Sequence, residues 1–384
     1  MTMIRLLHTA DIHLDAPNQA LGERAADLRR AVRDAFTRVV DAALQQQAQL
    51  LVVAGDLFDS AAPDGATVEF ALAQLARLAH AAPPIHVALL PGTHDCWAEG
   101  GLWETPRIRA LPDCVHVLAG PAPRTVLLPH LDLALHGCAH RCRRGGQRPL
   151  CELRASDEAA VNVAVAHGSL ERGDVADDSM FTAAEISATG MDYVALGHWH
   201  GWQEHSVGGI TAINPGSPEV TGFGQRDEGA VALVTLGDGA VRVERLRVGA
   251  LRASQLTIDA ADLVSAADLA ARVAEHADPH LLLELTLTGL APSGVVVDVE
   301  ALREQLAGSF YVLRIHDASH PTLDDLDEAV LDERLALGRF VALARERIAA
   351  AADERERRVA ERALQIGVSM LADATGRRGE GDAR

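Results

Sequence analysis

The chain has 384 residues, of which 48% are hydrophobic, and a net charge of −19 at pH 7. This composition excludes wholesale disorder, and the length predicts two or three domains. The sequence shows no signal-peptide pattern and no apolar run near the roughly 20 residues of a membrane helix, so we expect a soluble, cytoplasmic protein that does not bind a membrane. The acidic charge argues against strong nucleic-acid binding, but metal ions or a local basic patch can still hold a phosphate.

Five hydrophobic runs in the first half of the chain predict buried strands. Between the first three of them, apolar residues at helical spacing predict helices over 23–47 and 67–80. Short apolar runs that are closed by Gly or by a polar residue are typical of buried strands, and their alternation with helices predicts a layered α/β domain. The five runs are Ile4–Leu7, Leu50–Ala54, Ile85–Leu90, Val161–Ala166 and Tyr193–Leu196.

Shorter strands are predicted in the middle of the chain and after residue 200. The turn Gly237-Asp238-Gly239 is a strong hairpin signal between the last two of them. We therefore expect two sheets packed face to face, with helices outside. These strands cover residues 115–118, 124–128, 131–135, 210–213, 230–236 and 241–248.

The pattern changes near residue 250. A helix over 261–274, a strand over 281–287, a helix that begins after Asp298 as N-cap, and a strand over 311–315 predict a small α/β unit. Residues from 324 to about 372 are helical in pattern. The predicted domains are thus a catalytic domain over 1–248, a small α/β cap over 249–318, a helical segment over 319–376 and a disordered tail over 377–384.

Each of the five strand runs is followed by residues that bind metals or transfer protons. Because the ends of parallel strands meet at one edge of a sheet, we expect these side chains to converge. Carboxylates and imidazoles without a thiolate suit Mn²⁺, Fe²⁺ or Zn²⁺. Most of these short motifs are weak signals alone, and Gly197-His198-Trp199-His200 is a moderately specific one; the five together favour a metal site. The residues are Asp11 and His13, Asp56, His94 with Asp95, His167, and His198 with His200.

Such a set suits a pair of metals that hydrolyses a phosphoester. Two metals about 3.5–4 Å apart clamp the attacking and leaving oxygens, and a carboxylate must bridge them. Asp56 is the best candidate for this bridge, since Gly55 lets the chain turn sharply. We expect a metal-bound water to attack, and His94 to stabilise the transition state or to protonate the leaving oxygen. Asp95 is expected to orient the His94 ring.

The motifs in this order resemble the calcineurin-like metallophosphoesterase superfamily and, more closely, its DNA repair exonuclease branch of SbcD-like and YhaO-like proteins. The similarity covers roughly residues 4–248. It implies a two-sheet metallophosphoesterase sandwich flanked by helices. The segments that carry it are His8-Thr9-Ala10-Asp11-Ile12-His13-Leu14, Gly55-Asp56-Leu57-Phe58-Asp59, Ala195-Leu196-Gly197-His198-Trp199-His200 and Asn214-Pro215-Gly216-Ser217-Pro218.

The resemblance also implies two Mn²⁺ ions, a DNA substrate, an SMC-like coiled-coil ATPase partner and, in many relatives, a homodimer. Its catalytic histidine would be His94. The family pattern has asparagine where this chain has Thr93, and a neutral hydroxyl is a poorer ligand than an amide oxygen, so the second metal is expected to bind more weakly. By motif, Asp11, His13, Asp56 and His200 would hold the first metal, and Asp56, Thr93, His167 and His198 the second.

Three functions remain open at this stage. The first is a DNA exonuclease or endonuclease. The second is a phosphodiesterase for small molecules such as cyclic nucleotides, which the acidic charge favours. The third is a weakly active scaffold protein, which the altered motif at Thr93 would fit. Two features are also ambiguous: the arginine-rich segment 141–148 is either a DNA contact or a solvated loop, and the apolar helical faces beyond residue 331 either dock the ATPase or pack on the chain itself.

Overall fold

The structure is a computed structural model that describes residues 3–144, 146–171, 179–225, 228–292, 295, 297–321, 336–353, 355–357, 359–361, 363–364 and 367–368. The chain divides into two compact units, Met1–Ala253 and Ser254–Arg384. The predicted tail over 377–384 and much of the predicted helical segment lie outside the described residues. The four predicted domains, including the cap over 249–318, therefore stay predictions.

Parallel strands connected by helices dominate the first unit. Its helices are α1 Ala25–Gln45, α2 Gly65–Ala79, α3 Pro106–Arg109 and α4 Ala183–Thr189. Its strands are β1 Ile4–Thr9, β2 Leu50–Ala54, β3 His86–Leu90, β4 Val115–Val117, β5 Arg124–Leu128, β6 Leu133–Gly137, β7 Val161–His167, β8 Ser169–Leu170, β9 Met180–Phe181, β10 Tyr193–Gly197, β11 Gln203–Glu204, β12 Thr211–Asn214, β13 Glu228–Gly237 and β14 Ala240–Asp259, which ends in the second unit.

The long strands of this unit form two sheets. In the first sheet the order is β14-β13-β1-β2-β3-β4, and β1 to β4 run parallel. In the second the order is β11-β12-β10-β7-β6-β5, and β12, β10, β7 and β6 run parallel. The predicted hairpin is confirmed: β13 pairs antiparallel with β14 across the Gly237–Ala240 turn. All five strands that precede candidate ligands are present within three residues of their predicted bounds.

The two sheets pack face to face around a shared apolar core. Leu6, Val52 and Leu90 of the first sheet are buried in one cluster with Val163 and Ala195 of the second. Burying one such side chain contributes about 1.5–3 kcal/mol, so this layer stabilises the positions of all the strand ends at once. Helices lie outside: Phe36 of α1 packs against Phe70 of α2 with ring centroids 6.4 Å apart. The predicted two-sheet α/β sandwich flanked by helices is confirmed.

The second unit has a core of its own. In it β15 lies between β17, which is parallel to it, and the end of β14. The predicted N-cap is confirmed, because the Asp298 carboxylate accepts a hydrogen bond from the Ala301 amide at 3.0 Å. The elements are α5 Ala266–Ala274, β15 Asp278–Thr288, β16 Leu290–Ala291, α6 Val299–Gln305, β17 Phe310–Asp317, β18 His320–Pro321 and α7 Ala336–Ala349.

The apolar residues of α7 pack on a later segment of the same chain. Leu337 and Val341 form a buried cluster with Leu364 and Val368. Part of the apolar surface that the sequence offered to a partner is therefore used internally, although Leu343 remains 51% exposed. In the part of the chain that the structure describes, no helix combines the length and apolar character needed to cross a bilayer.

Candidate metal centre

The predicted ligands meet at the carboxyl-terminal ends of β1, β2, β3, β7 and β10. Two backbone hydrogen bonds link the first two strand ends: the Asp11 amide donates to the Gly55 carbonyl at 3.1 Å and the His13 amide to the Asp56 carbonyl at 3.0 Å. The centre thus draws on both sheets of the sandwich. Every candidate ligand that the sequence predicted lies in it.

Several ligands have unusual backbone conformations. Asp11, His13 and Asp56 have φ of 53°, 50° and 53°, and His198 has φ of 107°. Positive φ is uncommon outside glycine, and such residues persist where the surrounding structure holds them. Gly92 has a different reason to lack a side chain, since a Cβ atom there would lie 2.3 Å from Oδ1 of Asp56. The strand ends are therefore shaped to bring these side chains together.

One group of ligand atoms joins Asp11, His13 and His200, all within 4.8 Å of one another. Nε2 of His13 lies 4.0 Å from Oδ1 of Asp11 and 3.7 Å from Oδ2 of Asp56. This nitrogen is buried and has no hydrogen-bond partner. A buried imidazole nitrogen surrounded by carboxylates and without a partner is what a metal ligand requires, so these residues fit a divalent cation.

A second group surrounds Oδ2 of Asp56. Nε2 of His167 lies 3.3 Å from this oxygen, and the Thr93 hydroxyl donates to it at 3.2 Å. Nδ1 of His198 lies 3.2 Å from Nε2 of His167. Asp11, Asp56 and His167 also form a group whose ligand atoms lie within 4.8 Å of one another. Oδ2 of Asp56 thus faces His13 of the first group, at 3.7 Å, as well as His167 of the second, at 3.3 Å, as a bridging carboxylate must.

Backbone amides hold the two central carboxylates in place. The His198 amide donates to both oxygens of Asp11, at 3.0 and 2.9 Å. The His94 amide donates to Oδ1 of Asp56 at 2.8 Å, which leaves Oδ2 facing His13, Thr93 and His167. These bonds reduce the freedom of the carboxylates, so less ordering is needed when a cation binds.

Charge and burial oppose each other in the centre. Burial disfavours the Asp56 anion, but the positive charge and hydrogen bond of His167, helped by His13, hold the pKa of Asp56 well below its usual range. Burial likewise disfavours a charged His167, yet Asp56 and Asp11 raise the pKa of His167 to about 9. A proton on His167 thus balances the buried carboxylate, and a bound cation would take over that task.

The structure corrects one predicted role. Asp95 does not orient the His94 ring, because its buried carboxylate accepts hydrogen bonds from the amides of Gly92 at 2.7 Å and Phe58 at 3.1 Å. Asp59 lies beside the ring instead: Nδ1 of His94 is 3.2 Å from its carboxylate and 3.2 Å from its carbonyl. The same carboxylate is 3.2 Å from Nδ1 of His13. Asp59 therefore positions both imidazoles.

Two histidines for which the sequence predicted a structural or surface role support the strands that carry the ligands. His8 is fully buried between the Tyr193 hydroxyl at 2.8 Å and the Leu196 carbonyl at 3.0 Å, and burial lowers the pKa of His8 to about 3. Nε2 of His140 lies 2.7 Å from the His167 carbonyl. The His8 contacts connect β1 to β10, and the His140 contact connects the segment after β6 to the end of β7. Sequence spacing alone did not indicate these contacts.

The arginine-rich segment 141–148 begins directly after His140, whose ring contacts the backbone of the candidate ligand His167. Arg148 is engaged with Glu185 at 2.7 Å and Glu171 at 3.3 Å, which hold it on the protein surface. Arg143 and Arg144 are exposed. Gly145, in the middle of this segment, lies outside the described residues.

A comparison with known families identifies the centre. The sequence profile described as calcineurin-like phosphoesterase matches residues 4–202, which include all the candidate ligands. This chain belongs to the calcineurin-like phosphoesterase family. The family resemblance noted in the sequence is confirmed, and the protein is a metal-dependent phosphodiesterase whose ligand groups suit the divalent metal pair of that family.

Curated relatives point toward DNA repair nucleases. The chain is 24% identical over 349 residues to the uncharacterized metallophosphoesterase YhaO of Bacillus subtilis, covering 89% of this chain and 80% of the relative. It is 27% identical to the DNA double-strand break repair protein Mre11 of Methanopyrus kandleri, over 57% of this chain and 50% of that protein. A stretch of 94 residues is 35% identical to SbcD of the nuclease SbcCD from Rhodobacter capsulatus, covering 24% of this chain and 22% of the relative.

Proposed function

We propose that the protein is a nuclease that processes DNA ends together with an SMC-like coiled-coil ATPase. The observation that carries the proposal is the position of Asp56 between His13 of one predicted ligand group and His167 of the other, with His94 and its partner Asp59 beside them. The names of the Mre11 and SbcD relatives support DNA as the substrate. The chain spans only half of the former and about a fifth of the latter.

Asp11, His13, Asp56 and His200 would hold one cation, and Asp56, Thr93, His167 and His198 the other. The cations, which we propose are Mn²⁺, would supply Lewis-acid activation of water and charge neutralisation at the phosphate. The oxygen- and nitrogen-donor set, which lacks a thiolate, suits Mn²⁺. The Thr93 hydroxyl already lies 3.2 Å from Oδ2 of Asp56 and 3.5 Å from Nε2 of His167. It would contribute a weak ligand to the second site.

The residues around the metals would position and protonate the substrate. Asp59 accepts from Nδ1 of His94, which leaves Nε2 for an oxygen of the scissile phosphate. There the imidazole would stabilise the charge that develops on the phosphoryl oxygens or give a proton to the leaving oxygen. Asp59 would hold the orientation of the ring, since its carboxylate and its carbonyl each lie 3.2 Å from Nδ1 of His94.

DNA contact outside the centre would come from the exposed Arg143 and Arg144. They follow His140, whose ring touches the strand that bears His167. Arginines bind phosphates without reading sequence, so they would hold the DNA backbone and leave the choice of cleavage position to the metals. In a chain with a net charge of −19, a local patch of this kind is needed for contact with DNA.

The remaining parts of the chain would serve the complex. We propose that residues 249–318 cap the catalytic domain, and that the helical segment 319–376 docks the ATPase. The half-exposed Leu343 and the exposed Val359 would contribute to this docking surface. A homodimer through the catalytic domain and a cytoplasmic location complete the proposal.

A small-molecule phosphodiesterase is the second candidate, and the acidic charge favours it. The deciding experiment is hydrolysis of labelled double-stranded DNA and of bis-p-nitrophenyl phosphate in Mn²⁺, with Asp56→Ala and His94→Ala as controls. Cleavage of DNA that both substitutions abolish would support the nuclease. Cleavage of the generic ester alone, with or without the ATPase partner, would favour the small-molecule enzyme. Bound metal without either activity would favour a scaffold protein.

A further inference from the structure

An exposed tryptophan stands between two of the proposed metal ligands. Trp199 lies between His198 and His200, and it is 48% exposed. Trp103, by contrast, is 4% exposed and donates its indole N–H to the Asp95 carbonyl. Leaving a large aromatic surface in water forgoes the free energy of burial, so its position beside the metals calls for an explanation through a ligand.

The indole of Trp199 is fixed in place. Its N–H donates to the Ser169 hydroxyl at 2.7 Å, and the Ser169 amide donates to the Ser179 carbonyl at 2.8 Å. This anchoring limits rotation of the ring, while nearly half of its surface stays accessible. A rigid, half-exposed aromatic plane is a suitable platform for stacking.

A cavity of about 460 Å³ opens beside this ring. That volume lies within the roughly 300–1,000 Å³ of typical ligand pockets. Cβ atoms at Gly222 and Gly224 would meet no atom within 4 Å, so side chains at these positions would extend into open space. The cavity is lined by His198, Trp199, His200, Gly201, Thr221, Gly222, Gly224 and Gln225.

Gln225 ties this cavity to the metal centre. Its Nε2 donates to the His200 carbonyl at 3.1 Å, and its Oε1 accepts from the amides of Thr221 at 2.6 Å and Gly222 at 3.1 Å. One side chain therefore orders the cavity floor and the segment that carries a ligand histidine. A phosphodiester held at the metals would have its attached nucleoside within reach of the cavity.

We propose that Trp199 is a positioning residue that stacks on an unpaired nucleobase next to the scissile phosphate. The inference rests on the proposed nuclease function and adds to it a preference for single-stranded or frayed ends. Stacking on an indole tolerates every base, because each base has an aromatic face. The base would occupy the cavity over Gly222 and Gly224, and the phosphate would lie at the metals.

The test compares Trp199→Ala, Trp199→Phe and the control Trp202→Phe on a labelled single-stranded oligonucleotide. Trp202 packs against the apolar core and the Arg245 guanidinium, outside the cavity. We expect KM of Trp199→Ala to rise about 5- to 150-fold, the range of one stacked base, with kcat little changed. Trp199→Phe should recover most of the loss, and Trp202→Phe should match the wild type.

Abasic substitution supplies the matched change in the substrate. Abasic residues are placed one position at a time around the cleaved phosphodiester. At one position the abasic residue should raise KM of the wild type as much as Trp199→Ala raises KM on intact DNA. At that position it should not raise KM of Trp199→Ala any further. The inference would be overturned by an unchanged KM in Trp199→Ala, or by increases in KM from the variant and the abasic residue that add at every position. In either case, cleavage of DNA by the wild type would still support the nuclease. Absence of DNA cleavage by the wild type would overturn both.

Fluorescence gives a readout that does not depend on turnover. A chelator removes the metals and prevents cleavage during the titration. Under these conditions the oligonucleotide should quench the tryptophan emission of the wild type and of Trp202→Phe, and the quenching should be smaller in Trp199→Phe. Equal quenching in all three proteins would overturn the role of Trp199.

Discussion

Two clusters of histidines lie at opposite ends of the first sheet, and among the described residues only one of them has carboxylates within ion-pair distance. At the carboxyl-terminal end, His13, His167 and His200 surround Asp11 and Asp56. At the other end, His86 opens β3, with Nδ1 3.0 Å from Nε2 of His116 and its ring centroid 4.7 Å from that of His130.

One histidine from each cluster shows the difference, because the pKa values of His86 and His167 are shifted in opposite directions. Burial and the positive charges of His116 and His130 lower the pKa of His86 to about 4. Asp56 overcomes the effect of burial and raises the pKa of His167 to about 9. Proximity of imidazoles alone therefore does not make a metal site. Buried carboxylates that attract a cation separate the catalytic cluster from the one at the other end.

The largest expected effect is the loss of the shared carboxylate. Asp56→Asn should lower phosphodiester hydrolysis by at least about 100-fold and weaken metal binding, because this carboxylate faces His13 on one side and His167 on the other. Rates with bis-p-nitrophenyl phosphate and isothermal titration with Mn²⁺ measure the two quantities. His116→Gln, at the other cluster, should leave both unchanged. Equal losses in the two variants would contradict the distinction between the clusters.

The second effect separates Asp59, whose carboxylate lies beside the His94 ring, from Asp95, whose carboxylate bonds two backbone amides. Asp59→Asn should lower kcat about 10- to 100-fold without a change in thermal midpoint, because it removes the partner of His94 and His13. Asp95→Asn should instead destabilise the fold by about 1–3 kcal/mol, since an amide cannot accept both backbone N–H groups equally well. Denaturant unfolding and steady-state kinetics distinguish the two. A stability loss in Asp59→Asn alone would reverse the assignment.

A third effect concerns the departure from the family motif. Thr93→Asn should tighten binding at the second metal site by about tenfold, because an amide oxygen is a better ligand than a neutral hydroxyl. Calorimetric titration with Mn²⁺ measures the change, and Thr93→Val serves as the variant with no ligand atom. Identical Mn²⁺ affinities in Thr93→Asn and the wild type would contradict the hypothesis that Thr93 weakens the second metal site.

The smallest effect is a pH dependence at the cluster that lacks carboxylates. Its lowered pKa means that His86 is neutral in the fold and takes up a proton on unfolding. The associated stability is complete above pH 6.5 and is lost as pH falls toward about 4. Between pH 7.5 and 5, His86→Gln should therefore lose up to about 1 kcal/mol less stability than the wild type, a figure reduced for partial exposure. Urea unfolding at the two pH values measures it.

Much of the fold and centre could be predicted from the sequence because each ligand follows a continuous apolar run. Asp11, Asp56 and His167 needed only the rule that parallel strands end together. Asp59 was missed because its partners are distant along the chain, 46 residues away at His13 and 35 at His94. The positive φ of His198 leaves no trace in composition or spacing. Pairings across the fold and backbone strain are tertiary properties, and single-sequence patterns report them poorly.

Asp95 also determines how the centre would open. Its carboxylate accepts hydrogen bonds from the Gly92 amide within its own loop after β3 and from the Phe58 amide in the loop after β2, so the Phe58 bond must break before the two loops can separate. The amide proton of Phe58 should therefore exchange with solvent only when the two loops move apart. Its hydrogen-exchange rate would report local opening of the centre, and it can be measured without any substrate.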